Sequence, residues 1–398
     1  MPGTLLRLAC TAAMAAATLA PTPATAAPDP TTTPTPTSTP TSTAAPGPPP
    51  ASLAYLLTDL QQLYRKAEQA TEAYNATEEK LKKQRTETDR LNHALARARL
   101  SLHDSRSEVG RLARQQYQSS TDISPYVHLL LARDPQHAID QGHVIGRIAR
   151  ERAATINRLT AAERKADDLA HKARKALDDQ LTLTAQRKKE RDQVVKRLHD
   201  VEDLLASLSR DQLAALSAFE TNGITKAQKK FMASGALSSA RRPSAEGDRA
   251  LRYVVGQLGK PYEWGAEGPK SYDCSGLTSQ AWAEAGAPIP RTSQEQWKRL
   301  KRIPLAELRP GDLVVYFPEA THVALYLGDG MVVQAPRPGA KVKVSPIAAN
   351  PLLGAVRPDP SGKPLRRYAP PKLPKGATDG SDSGYDGYAA PAPDSSAR

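Results

Sequence analysis

The sequence predicts an α+β domain at its C-terminal end, preceded by an all-α antiparallel coiled-coil hairpin. Two observations carry this reading. From residue 51 to 222 the chain has few glycines or prolines, is dominated by Ala, Leu, Lys, Arg, Glu and Gln, and repeats its apolar residues with a heptad period. From 247 to 358 glycine, valine, tyrosine and tryptophan enter, and helical patterns give way to short strand-like runs separated by turn signals.

The elements follow in order. Residues 1–26 combine an early Arg7, a short apolar run and a small-x-small ending at Ala24-Thr25-Ala26, the layout of a cleaved secretory signal, so export is expected. Residues 27–50 form a Pro/Thr/Ser tract that cannot bury enough apolar surface to fold and reads as an extended tether. The hairpin is expected over 51–222. Its first helix places Leu60, Ala67, Tyr74, Leu81, Thr88, Leu95, Leu102 and Val109 on one seam, with Leu56, Leu63, Ala70, Leu91, Ala98 and Leu112 on the companion seam. The second, from Ile145, carries Leu159, Ala166 and Ala173, then shifts phase into Val194, Val201 and Leu208. Pro125 and Pro135 mark the reversal between them, expected to hold a small helix.

Seams this rich in alanine pack thinly, so the hairpin is expected to find a further partner: the C-terminal domain, a second copy or a membrane complex. Residues 223–246 lose the periodicity and read as a linker; 359–398, rich in Pro, Gly, Ser and Asp, read as a disordered tail. The net charge of +13 favours anionic partners; an exported chain meets anionic wall polymers or phospholipid headgroups, between which charge alone does not choose, and nucleic acid is not an expected partner.

Within the C-terminal domain, Asp248 to Leu258 and Ser275 to Glu284 read as helices. The runs Leu313–Phe317, His322–Leu327, Met331–Ala335 and Val342–Val344 read as strands. If the signal is removed, Cys10 leaves with it and Cys274 has no cysteine to pair with. An unpaired cysteine in an oxidising compartment is inert and buried, intermolecularly bridged, or a reactive thiol. Cys274 sits where a loop turns into a helix, flanked by the capping-type residues Asp273 and Ser275, and the positive end of a helix favours thiolate. His322 opens a strand, and the short G-D-G turn that follows should return the chain so that Gln334 lies beside it, giving a base and an orienting amide. One cysteine among scattered histidines supplies no zinc ligand set.

The motifs G-K-P-Y-E-W-G (Gly259 to Gly265), Y-D-C-S-G-L (Tyr272 to Leu277), P-R-T-S-Q-E-Q (Pro290 to Gln296), R-P-G-D-L-V-V-Y (Arg309 to Tyr316), H-V-A-L-Y-L-G-D-G (His322 to Gly330) and V-Q-A-P (Val333 to Pro336) resemble, in order and spacing, the NlpC family of papain-like cell-wall cysteine peptidases. The hairpin resembles the regulatory half of two-part secreted members of that family. The resemblance implies a papain-like fold and hydrolysis of peptidoglycan stem peptides, usually between γ-linked D-glutamate and the following diamino acid. It implies Cys274 as nucleophile, His322 as base, Gln334 as orienter and Tyr262 beside the oxyanion, with Asp273, Ser275, Arg291 and Ser293 lining the groove. No cofactor or metal is called for. Location at the cell wall and an activating membrane complex acting through the hairpin are further expectations. The alternatives are a non-catalytic wall-binding scaffold and amidase or acyltransferase chemistry on the same framework.

Overall fold

A computed structural model describes residues 50–119, 127, 134–237 and 241–379. The signal, the tether, most of the hairpin reversal and residues 380–398 lie outside the described residues.

Helices α1 (Pro50–Ser119) and α2 (Pro135–Ala206) are 70 and 72 residues long. They run antiparallel, because partner numbers fall on one as they rise on the other: Glu78 with Arg187 at 2.9 Å, Gln84 with the Ala176 carbonyl at 2.9 Å, Glu108 with Arg158 at 2.6 Å. Asp134 caps α2 by accepting from the His137 N–H at 2.7 Å, and Pro135 occupies the first turn, where a missing N–H costs nothing. The seam buries Leu60, Leu81, Leu91, Leu95 and Ala98 against Ala173, Ala176, Val194, Val201 and Leu205. Tyr74 departs from the heptad expectation. Its ring meets Trp264 of the C-terminal domain edge-on, with centroids 5.1 Å apart.

Two further expectations are corrected. Residues 223–246 are not a linker throughout, because α3 (Arg210–Ala233), opened by a Ser209/Gln212 capping box, continues through Gly223. Its last turns dock on the C-terminal domain. The Gln228 amide donates to the Gly330 carbonyl at 2.9 Å and accepts from the Ala348 N–H at 3.2 Å, while Phe231 packs against the sheet. This docking offsets the helix cost of glycine, about 1 kcal/mol. Likewise, the tail is ordered as far as residue 379: Arg309 binds the Asp359 carboxylate at 2.6 Å and the Gly362 carbonyl at 2.8 Å, the Leu365 N–H donates to Pro243, and the Val344 N–H donates to Ala377. Chain without secondary structure is held here by backbone pairing that composition does not reveal.

The C-terminal domain begins with α4 (Ala245–Val255), α5 (Cys274–Glu284) and α6 (Ser293–Arg299). A six-stranded antiparallel sheet follows, in the order β1-β6-β2-β3-β4-β5. Its strands are β1 (Lys301–Ile303), β2 (Leu313–Tyr316), β3 (His322–Gly328), β4 (Met331–Gln334), β5 (Lys343–Pro346) and β6 (Leu352–Arg357). Alternation sorts the strands onto two faces. Leu313, Val315, Val323, Leu325 and Val333 pack against Leu251, Leu277 and Trp282 of the helices, and Val314, Tyr316, Ala324 and Val332 face Ile347 and Phe231. Among the described residues no helix is long and apolar enough to cross a membrane.

Candidate active site

Cys274 is the first residue of α5. Asp273 caps the helix, its Oδ1 accepting from the Gly276 N–H at 2.6 Å, and the turn is pressed so closely on the preceding loop that a Cβ on Gly276 would lie 2.1 Å from the Ala266 carbonyl oxygen. Only glycine fits there. The other Asp273 oxygen accepts from Gly265 N–H at 2.9 Å, and Arg291 grips the carboxylate with both terminal nitrogens, at 3.1 and 2.7 Å. Asp273 and Arg291 thus form a buried clamp that fixes the cysteine's helix to the Pro261–Gly265 loop.

Across from α5, the Cys274 Sγ lies 4.0 Å from the Thr321 carbonyl, at the residue before β3. The β3–β4 ladder pairs Leu325 with Val333 and Tyr326 with Val332. Carried one pair further, it sets Gln334 on the same face as His322, within reach of a long side chain. The Gln334 Oε1 accepts from His322 Nε2 at 2.7 Å, so Nε2 carries the proton. Tyr262, held in the loop by its N–H to the Ala340 carbonyl, is buried near the thiol; burial first, then the charge of Cys274, pushes its phenol well above the ordinary value, so it keeps its O–H.

The groove is occupied. Helix α1 lies along it, bringing residues that no motif marked. Glu72 inserts between the residues expected to line the groove: its Oε1 accepts from Ser275 Oγ at 2.7 Å and its Oε2 from the Ser293 N–H at 2.9 Å, with Oε1 only 4.0 Å from Cys274 Sγ. Ser293 Oγ itself donates to the Ala320 carbonyl. Asn75 donates to Asp273 at 3.1 Å. One turn earlier, Glu68 Oε1 stands 3.8 Å from His322 Nδ1, and Thr321 Oγ1 donates to Glu68 Oε2 at 3.4 Å. Glu68, Glu72, Asn75 and Glu79 recur at helical spacing on a face distinct from the apolar seam. That polar stripe was the available signal.

Occupation overturns one expectation from sequence. The thiol is not poised as thiolate: Cys274 is buried, and burial, reinforced by the charges of Glu72, Asp273 and Glu68, pushes its pKa well above the ordinary value. Burial also pushes Glu68 up to about 8, with Arg337 opposing, and Glu72 up to about 7, with Asp273 adding to the rise. Open space remains at both ends. A cleft of about 150 Å³ lies at the His322 end, between Tyr64, Arg65 and Glu68 of α1 and Phe317, Pro336 and Arg337 of the domain. A second, of about 600 Å³, lies at the Arg291 end, beside Lys80, Lys82 and Lys83.

A helix-borne cysteine set against the residue that precedes a strand-borne histidine, on helices followed by an antiparallel sheet, defines a papain-like domain. Residues 259–353 match the NlpC/P60 family, and this C-terminal domain belongs to it. A probable endopeptidase of Corynebacterium glutamicum is 38% identical over 124 residues, covering 29% of this chain and 59% of that protein. The peptidoglycan endopeptidase RipA of Mycobacterium tuberculosis is 34% identical over 155 residues, covering 34% of this chain and 31% of that protein. Among solved structures, RipD of Mycobacterium tuberculosis, described as a non-catalytic NlpC/p60 domain protein adapted to peptidoglycan binding, is 34% identical with a TM-score of 0.26, covering 28% of this chain and 96% of that one. The chain spans from 30% to 59% of the length of the curated relatives it matches.

Proposed function

We propose that this chain is a secreted, wall-associated peptidoglycan endopeptidase held latent by its own helical hairpin. It cleaves stem peptides at the bond between γ-D-glutamate and the diamino acid. With the groove open, the Cys274 thiol passes its proton to His322 and the sulfur attacks the γ-glutamyl carbonyl carbon. The oxyanion is met by the Cys274 backbone N–H and the Tyr262 O–H. When the C–N bond breaks, His322 returns the proton to the leaving amine; it then takes a proton from water, whose oxygen displaces the thiolate from the thioester. Gln334 holds the imidazole in the tautomer this requires. Ser275, Ser293, Arg291 and Asp273 shape the acyl side of the groove.

One observation supports latency above all: the Glu72 carboxylate uses the donors of Ser275 and Ser293 beside the sulfur, where a substrate would have to lie. A membrane complex gripping the hairpin is the activator this arrangement calls for, and anionic wall polymers suit the basic chain. The test is digestion of purified wall by the full chain carrying Glu68→Ala and Glu72→Ala, with mass spectrometry of the new ends. New γ-D-glutamyl carboxylates, absent when Cys274→Ala is added, are expected. Wall binding without new ends would favour the scaffold reading, and ends at another bond would favour amidase chemistry.

A further inference from the structure

Two arginine doublets meet on the C-terminal domain. Arg241 and Arg242 precede α4, Arg366 and Arg367 follow β6, and the Leu365 N–H, donating to the Pro243 carbonyl at 2.8 Å, sets the two segments side by side. The Arg242 guanidinium donates to the Arg366 carbonyl, and Arg241 Nε to the Ala306 carbonyl at 3.2 Å. Together with Arg309 and Arg357 they line a cleft of about 240 Å³, closed by Pro364 and Leu365, so that among the described residues its lining carries four guanidiniums and no acid. The two inner arginines are fixed from within the domain: Asp359 accepts from Arg309 at 2.6 Å, and Asp312 accepts from two nitrogens of Arg357 at 3.0 and 2.8 Å. Their side chains are only 6% and 15% exposed, whereas Arg241, Arg242, Lys363, Arg366 and Arg367 are all exposed.

The cleft lies away from the groove. On β2, Tyr316 pairs with His322 at one end, while Leu313 pairs with Val356, the neighbour of Arg357, at the other. Gathering like charges from segments more than a hundred residues apart works against folding, and an anion bound among them offsets that repulsion. We infer that this cleft binds a phosphodiester group of an anionic wall polymer. Guanidiniums arriving from two segments and from the sheet reach the oxygens of a tetrahedral phosphate from different sides, whereas a planar carboxylate is met edge-on by one fork. The recessed Arg309 and Arg357 are reached by a flexible polymer strand and not by phosphates fixed in the plane of a bilayer. The inference rests on the proposed wall association, not on the hydrolysis, and it assigns to the domain a hold on the wall that leaves the groove free.

The test is fluorescence anisotropy of a labelled glycerol-phosphate oligomer titrated with the full chain carrying Cys274→Ala, at about 0.1 M salt. Arg241→Gln with Arg242→Gln should weaken binding about tenfold or more. Lys188→Gln with Lys189→Gln, which removes the same charge from an exposed stretch of α2, should weaken it less than about threefold. Arg241→Lys with Arg242→Lys keeps the charge but loses the forks, and should recover only part of the affinity. No binding, equal losses in the two glutamine pairs, or full recovery by lysine would each overturn the inference. So would poly-L-glutamate of matched charge bound as tightly, or phosphatidylglycerol vesicles bound more tightly than the oligomer. The hydrolase reading is read out separately. In the full chain opened by Glu68→Ala and Glu72→Ala, the Arg241→Gln, Arg242→Gln pair should leave cleavage of a soluble stem peptide unchanged within about twofold. A larger loss with folding intact would make the cleft part of the groove's machinery and overturn its assignment as a separate site.

Discussion

At the scale of single residues, Cys274 sits in a site whose chemistry depends on which helix covers it. A helix start favours thiolate, but burial and the charges of Glu72, Asp273 and Glu68 outweigh that dipole while α1 is docked. Alkylation of the full chain by iodoacetamide at neutral pH should therefore be slower than that of free cysteine, and Glu68→Ala with Glu72→Ala should speed it about tenfold or more. Equal rates in the two chains would refute the helix as the cause. Gln334→Ala, which removes the 2.7 Å bond to His322, should cost the opened chain roughly ten- to a hundredfold in kcat, less than Cys274→Ala or His322→Ala. A larger loss with folding intact would give Gln334 more than orientation. Gly276→Ala forces a Cβ against the Ala266 carbonyl and should lower stability by about 2–4 kcal/mol, read as a denaturant midpoint shift.

At the scale of elements, α1 does two jobs with two faces. Its apolar seam, legible as heptads, holds α2, while its polar stripe holds the C-terminal domain. The stripe went unread because buried polar residues look like solvated ones until their partners are known. Asn75 and Glu72 are 3% and 2% exposed, yet the helical spacing that marks their stripe is equally that of a solvated helix face. The same stripe makes closure depend on pH. Glu68, facing Arg337, Arg65 and Thr321, titrates near 8 when docked, and Glu72, facing Asp273, Arg291, Ser275 and Ser293, near 7, against 4.5 for an ordinary glutamate. The docked helix thus holds protons that the released helix gives up, so docking weakens as pH rises from about 4.5 to about 8. The activity of the wild-type chain, divided by that of the opened variant, should climb across this window. Glu68→Gln with Glu72→Gln, which mimics the protonated pair, should stay low and flat. A wild-type ratio that falls with pH would contradict the assignment.

At the scale of the whole molecule, the papain-like domain was largely legible because its motifs are local: a capped cysteine helix, a histidine at a strand start and a short hairpin returning Gln334 beside it. What escaped was long-range. Residues 359–379 pack through Arg309 and Val344, so an excised domain needs residues 241–379 and not 247–358. Helix α3 runs on to lock its Gln228 across Gly330 and Ala348, and Glu220 pairs with Arg337 across 117 positions of sequence. Contacts this distant are set by tertiary packing, which periodicity does not encode. Together they make one body in which α1 of the hairpin lies along the groove beside Cys274. The most direct test is the rate of cleavage of a soluble γ-D-glutamyl-diaminopimelyl peptide by the wild-type full chain and by the same chain carrying Glu68→Ala and Glu72→Ala. The small substrate removes wall access from the comparison. Latency predicts that the double variant is faster by about tenfold or more, with both rates abolished by Cys274→Ala; equal rates for the two chains would contradict it.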